Sequence, residues 1–292
     1  MFAPFGWRRW AQYLALAICI GFGIAFVIAN VPSWELEDSE AYWRAALRLR
    51  AGEPLYVAVD PAADEMLAYR YAPWLAWLWV PLTMLPKTAV LVGWSAVLVA
   101  AGAAAVVPLL RRRTVAALCL AALLAGLLVR TASTGNVHAL MIAALVWGAP
   151  RRSGPLWIGI AASLKLVPIL YVLRYVGRGE WRSAFVAVAL AALLLAPALL
   201  YDLGGFPADA GESLSLLSMA GVVPWVLLAA ACAAAAIGLA RRRYAWAAAS
   251  AALLAAIPRL ALYDLTSLLV GLDRVEEPAR QVATQAPTVD GS

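Results

Sequence analysis

Long apolar runs separated by short clusters of arginine make up most of this chain. The first runs from Ala11 to Val31 and the second from Ala72 to Leu110. Thr114 to Val129 and Asn136 to Ala149 pair as a hairpin around an Arg130–Gly135 tip, and Gly154 to Val176 follows. Ser183 to Leu200 and Val222 to Ala240 pair as another hairpin. Tyr244 to Ile257 and Leu260 to Leu272 form a short pair around Pro258-Arg259. Several runs approach or exceed the ~20 residues that a bilayer-spanning helix needs. The pattern predicts an all-α, polytopic transmembrane helical bundle of eight to ten membrane segments, some of them short or re-entrant. Residues 1–272 form one integral membrane domain, and the polar tail 273–292 is expected to be disordered.

The arginine clusters set the topology. They fall at 8–9, 111–113, 151–152, 178–182 and 241–243, and positive charge collects on the cytoplasmic side. Arg8-Arg9 ahead of the first run read as an uncleaved signal anchor with its N-terminus in the cytoplasm. For all clusters to lie on one side, successive clusters must be separated by an even number of passes. Residues 154–176 cannot cross twice at ~1.5 Å per residue. This segment, interrupted by Lys165 and Pro168, is therefore a broken, re-entrant pair, or one flanking cluster lies outside. Residues 72–110, with Pro73, Pro81, Pro86 and Lys87, are too long for one straight span. They make two short spans turning at Pro86-Lys87, or a re-entrant piece followed by one full span.

The long polar stretch, 32–72, falls between the first span and the others, hence outside the membrane. Between Trp34 and Pro73 it carries eight acids and four arginines. Asp38 or Ser39 can cap a helix that Gly52 ends. Tyr42, Ala45, Ala46 and Leu49 share one face of that helix, and Arg44 and Arg48 share another, an amphipathic pattern suited to a membrane surface. Asp60-Pro61 followed by Asp64 and Glu65 signals a second short helix. A loop of this length with its own helices is more often functional than a connector.

Composition agrees with the pattern. The chain is 64% hydrophobic and 14% charged, against roughly half apolar and a quarter charged for soluble domains. The net charge of +6 is therefore a topology signal and not a nucleic-acid footprint. Cys19, Cys119 and Cys232 all lie inside apolar runs without paired spacing, as small buried hydrophobes do.

Charges in or beyond the membrane default to functional hypotheses. Arg70, Arg130 and Arg259 fall at outer ends, where basic residues are rare, and Lys165 lies inside an apolar run. His138, the only histidine, follows the Arg130 tip. Together with Asp38 they suit an anionic lipid headgroup such as a polyprenyl phosphate. Each has a plainer alternative. Asp38 caps a helix, Arg70 pairs with Asp64 or Glu65, Arg130 and Arg259 snorkel, and His138 packs by hydrogen bonding. Tyr69 and Tyr71 belong to an interfacial belt, and Asp264 bonds a neighbouring helix.

Ordered motifs carry a family resemblance. Asp38-Ser-Glu-Ala-Tyr42, Gly52-Glu-Pro-Leu-Tyr56, Tyr69-Arg-Tyr71-Ala-Pro73 and Pro81-Leu-Thr-Met-Leu-Pro86 come first. Gly135-Asn-Val-His138, Gly159 to Pro168 and Gly179-Glu-Trp-Arg182 follow. The set resembles glycosyltransferase family 87, bacterial mannosyltransferases of the GT-C superfamily, over roughly residues 10 to 200. That family usually has Gly-Gln-x-Asn where this chain has Gly135-Asn136-Val137-His138. The resemblance implies a GT-C-like first extracytoplasmic loop and an inverting transfer of a sugar, mannose in the family. The donor is a polyprenyl-phosphate sugar, and the acceptor a lipid or glycan at the outer face of the bacterial plasma membrane. It places Asp38 as general base, and the cations singled out above, Arg70, Arg130, Lys165 and Arg259, are the candidates for stabilising the donor phosphate. Tyr42, Tyr69, Tyr71, Asn136, His138 and Tyr263 then contact substrate. No cofactor and no metal are implied, and the other partners are membrane lipids, not nucleic acid. The rival readings are a non-catalytic lipid-phosphate binder or transporter of the same ancestry, and a structural partner of another transferase.

Overall fold

The computed structural model describes residues 7–31, 34–57, 68–204 and 215–272. Every regular element among them is helical. The expected helix around Asp60-Pro61, the Asp64 and Glu65 partners proposed for Arg70, and the tail lie outside the described residues.

Among the described residues, four helices are long and apolar enough to cross a membrane, and five shorter apolar helices accompany them. Many large apolar side chains face outward, such as Phe22 and Leu193, as they do on a surface solvated by lipid. The chain is an all-α polytopic membrane protein.

Helix α1 (Trp7–Asn30) packs on α5 (Val115–Ser133). A Cβ added to Gly23 would sit 2.7 Å from the Ala122 carbonyl oxygen, and one on Gly126 would meet Gly23, Phe26 and Val27. The two helices therefore run parallel, with small residues letting their backbones approach. Helix α2 (Glu37–Ala51) follows outside the spans. Its end is as expected, at Gly52 with φ 72°, a left-handed turn that glycine adopts without strain.

Its start differs from expectation. Neither Asp38 nor Ser39 caps it: Leu36, at φ 56°, is the N-cap and gives no side-chain bond. The carbonyls of the α5 tip fill that role, as Leu36 N–H donates to Ser133 O (3.0 Å) and Asp38 N–H to Thr134 O (2.8 Å). Ser39 Oγ donates to Gly135 O (3.3 Å). The apolar face holding Tyr42, Ala45 and Ala46 is completely buried in the protein.

Residues 72–110 resolve into the second of the two expected arrangements. A short helix α3 (Pro73–Trp79) and a 3₁₀ turn (Pro81–Met84) precede the full-length α4 (Lys87–Arg112). At about 10 Å, α3 is far too short to span. Lys87 Nζ pairs with Glu40 (2.6 Å) and ties α2 to the start of α4.

Helices α6 (His138–Gly148) and α7 (Gly154–Leu164) follow. Lys165 ends α7 in an extended conformation (φ −137°, ψ 123°), after which the chain re-forms as a 3₁₀ turn (Val167–Tyr171) and α8 (Val172–Arg178). A Cβ on Gly154 would lie 2.6 Å from the Tyr175 hydroxyl, so the two ends of this segment meet. The segment is a re-entrant hairpin that turns at Lys165, which removes the topological problem set by its length. Helix α9 (Trp181–Leu195), a 3₁₀ turn (Ala196–Leu200), α10 (Leu216–Ala220), α11 (Val222–Gly238) and α12 (Ala245–Ala256) come next. A last 3₁₀ turn (Leu262–Leu268) runs into α13 (Leu269–Leu272).

The basic clusters share one end of the bundle. Arg111 lies over the Trp147 ring (5.6 Å to the centroid) and Arg174 over Trp246 (4.6 Å). A Cβ on Gly177 would touch Ile237 and Ala240. Because α1 is parallel to α5, Arg9 falls at that end too.

Candidate functional site

The opposite end holds a cavity of about 760 Å³. Four separate parts of the chain build its polar wall: Asp38 from the first turn of α2, Arg70 from the Tyr69–Tyr71 segment, Arg130, Thr131, Thr134 and Asn136 from the tip of α5, and Lys165 from the hairpin break. Tyr263 closes one side. Leu164, Leu166, Leu195, Ala198 and Leu203 supply an apolar wall. Leu166 is two-thirds exposed and Leu199, next to Ala198, more so. One wall of the cavity is thus continuous with a lipid-facing surface.

Asp38 is anchored by Asn136, whose Nδ2 donates to Oδ2 at 3.0 Å. Asn136 is itself fixed, because its Oδ1 accepts from His138 N–H (2.9 Å). Burial raises the Asp38 carboxyl above its ordinary value of 3.8, while Asn136, Lys165, Thr134 and Arg70 each pull it down. The carboxylate is therefore desolvated but surrounded by donors and cations, a setting in which small changes at the site move its proton.

The tyrosines divide by role. Tyr71 lines the cavity. Tyr42 and Tyr69 do not; they are buried behind it. The Tyr42 hydroxyl accepts from Val137 N–H (3.3 Å), and its ring packs edge-on against Tyr71 at 5.1 Å and Trp79 at 5.4 Å. Tyr69 hydroxyl donates to Ala72 O (2.7 Å) and accepts from Ala76 N–H (2.9 Å), fastening the first turn of α3. Tyr42 thus ties α2 to the turn after α5, and Tyr69 ties the segment that carries Arg70 to α3.

His138 and Arg259 face elsewhere. Both line a smaller cavity, about 240 Å³, on the far side of Lys165 and Tyr263. His138 is 1% exposed. Lys165 and Tyr263 belong to both cavities, and the Lys165 ammonium sits 4.5 Å above the Tyr263 ring.

Tyr56, Thr131, Thr134 and Ser163 were not expected from sequence. Tyr56 donates to Tyr71 O (2.9 Å), and Ser163 Oγ accepts from Trp74 Nε1 (3.1 Å). Each had a signal in the chain: Thr131 and Thr134 lie in the Arg130–Gly135 tip, and Tyr56 and Ser163 fall inside the ordered motifs.

These features define a class: an integral membrane protein with one cation-rich cavity that holds a carboxylate and opens toward lipid. Residues 69–209 match the model of Glycosyltransferase family 87. The match contains Arg70, Arg130, Asn136 and Lys165. It starts after Asp38 and ends before Tyr263, so the expected resemblance from about residue 10 is found only from Tyr69 onward. No curated protein and no solved structure matches the chain.

Proposed function

We infer that the chain is a membrane glycosyltransferase moving a sugar, mannose in our reading, from a polyprenyl-phosphate donor to a lipid or glycan acceptor. The observation that carries this is the enclosure of one carboxylate, Asp38, by Arg70, Arg130 and Lys165 in a single cavity with an apolar, lipid-facing wall. The family-model match over 69–209 supports it.

In this mechanism the donor's prenyl chain leaves along Leu166, Leu195 and Leu203 while its phosphate lies among the cations. Asp38 takes the proton of the acceptor hydroxyl as the oxygen attacks the anomeric carbon from the face opposite the phosphate. The bond from the anomeric carbon to the phosphate oxygen breaks, and the electron pair leaves with the lipid phosphate. The cations stabilise that developing charge. Attack from the opposite face inverts the anomeric centre. The arginine clusters at the other end of the bundle support a reading in which the cavity lies on the extracytoplasmic side of the plasma membrane, since positive charge collects on the cytoplasmic side.

The two interrupted hairpins favour a second reading. Carriers also place broken helices at a buried anion site, so a non-catalytic binder or transporter of prenyl phosphates is the alternative. Turnover separates the two. Purified protein given a labelled polyprenyl-phosphate sugar and an acceptor extract should release free lipid phosphate and label the acceptor. Asp38→Asn should lower that rate by at least ~10²-fold and leave donor binding in place. Tight donor binding without any turnover in the wild type decides for the carrier.

Stability gives an independent check. Because the folded pKa of Asp38 is raised, its contribution to stability is full below 3.8 and is lost as pH rises through the folded value. Asp38→Asn should therefore have a Tm at neutral pH equal to or above the wild type's. A clearly lower Tm would show that the ionised carboxylate is a structural element.

A further inference from the structure

The Lys165 ammonium is surrounded on the side away from the main cavity. Its Nζ is 3.4 Å from His138 Nδ1, 3.4 Å from the Tyr263 hydroxyl and 3.9 Å from Asp264 Oδ1. On the other edge of the imidazole, His138 Nε2 is 2.8 Å from Thr266 Oγ1 and 3.2 Å from the Tyr263 carbonyl. Thr266 Oγ1 donates its own proton to that same carbonyl at 2.6 Å.

Donor and acceptor rules leave one arrangement of protons. A carbonyl oxygen accepts only, so Nε2 must carry hydrogen to reach Tyr263 O. The Thr266 hydroxyl has already given its proton away and accepts from Nε2. An ammonium donates only, so Nδ1 must be bare to receive Lys165. The imidazole is therefore the neutral Nε2–H tautomer. Adding a proton at Nδ1 would remove the acceptor and set two cations against each other. The carboxylate of Asp264 is held as well, by Ala261 N–H on Oδ2 (2.9 Å), and Tyr263 meets the histidine ring edge-on at 4.9 Å.

We propose that His138, locked as the Nε2–H tautomer by Thr266 and the Tyr263 carbonyl, is a positioning residue that holds the Lys165 ammonium at the wall of the main cavity. His138 lines only the smaller cavity and acts on a ligand through Lys165. The arrangement links segment 262–268 to the hairpin break at Lys165, two parts of the chain nearly a hundred residues apart. The bonds from Lys165 are long, and its side chain keeps 24% of its exposure. The ammonium is steered without being consumed, and one N–H can turn to an anion in the cavity. This inference rests on the proposed donor-binding role of Lys165 only for its functional consequence; the proton arrangement stands apart from it.

The chain has one histidine, so ¹⁵N-histidine labelling reports on His138 alone. In the full-length protein in micelles, the expected spectrum has Nε2 in the protonated range and Nδ1 in the bare-acceptor range. In Lys165→Met the Nδ1 resonance should move, because its donor is gone. Binding of farnesyl phosphate, measured by calorimetry on the same preparation, should weaken about tenfold in His138→Phe, the size of one misplaced charge-assisted hydrogen bond. His138→Asn should restore most of it, since the amide oxygen stands where Nδ1 stood.

A wild-type spectrum showing a protonated Nδ1, or an Nδ1 resonance indifferent to Lys165→Met, would overturn the proposal. So would farnesyl phosphate binding of wild-type strength in a folded His138→Phe. Should that variant fail to fold, the wild-type and Lys165→Met spectra decide alone. Absence of farnesyl phosphate binding in the wild type would count against the proposed function and not against the tautomer lock, which the same two spectra test.

Discussion

The chain contains two re-entrant hairpins of the same plan. In each, a helix of eleven or twelve residues enters from the arginine-rich end, breaks, and returns through a 3₁₀ turn. Each closes on itself at the base: Gly154 meets Tyr175, and Gly271 meets the backbone of Trp246 and Ala247. They also brace one another. Tyr171 of the first hairpin donates to Ser267 O of the second (3.1 Å) and shares a bond with Ser250 Oγ (3.1 Å). Their breaks differ. The first places one cation, Lys165, into the main cavity. The second is longer, runs through Pro258, and brings up Tyr263 and Asp264, which contact that cation, together with Thr266, which holds His138. Equal scaffolds thus serve unequal chemistry, and the side chain at each break decides which.

The largest effect is expected at Lys165. Lys165→Met keeps most of the unbranched side chain and removes its charge. Turnover with a polyprenyl-phosphate sugar should fall by ~10²-fold or more, the usual cost of losing a transition-state charge donor. A smaller loss, under about threefold, would make the two breaks equivalent and leave Arg70 and Arg130 to carry the phosphate.

The scaffolds should fail alike. Gly154→Val and Gly271→Val force a Cβ to within 2.1 Å of the Ala149 carbonyl oxygen and 2.5 Å of the Ala247 Cα. Each should cost about 1–3 kcal/mol of stability from overpacking, read as a fall in Tm of similar size for both. A large loss from one and none from the other would show that only one hairpin is closed.

The brace is weaker. Tyr171→Phe removes the hydroxyl but keeps the buried ring. It should cost about 1 kcal/mol, with farnesyl phosphate affinity unchanged. The smallest effect is expected at Arg259, which sits on the second break but faces the smaller cavity. Arg259→Ala should change donor affinity by less than about threefold. A change as large as that of Lys165→Met would return Arg259 to the donor site, where its sequence position first suggested it.

Much of the architecture was legible because hydrophobic period and charge are local signals. The apolar runs, the arginine clusters, the stop at Gly52 and the interruption at Lys165 all lie within short windows of sequence. The start of α2 was not legible, because its first amides are satisfied by carbonyls at Ser133 and Thr134. Side-chain caps come from sequence neighbours, and here the capping carbonyls lie almost a hundred residues away. The division of the tyrosines was hidden for a similar reason. Tyr69, Arg70 and Tyr71 are adjacent, yet one braces a helix and the other two line the cavity.

The amino-acid sequence by itself determined a helical membrane protein, since its apolar segments are stable only away from water, and it limited the candidate site to a few charges in costly places. It also required the segment 154–176 to break or to reverse the sidedness of a cluster, because its length cannot cross twice. Tertiary structure alone decided between those options, by bringing Gly154 beside Tyr175. It alone placed Asp38, Arg70, Arg130 and Lys165 around one cavity and moved His138 and Arg259 behind it. Those outcomes depend on contacts between residues far apart in the chain. Such contacts are set by the packing of whole helices, which no local pattern of side chains specifies.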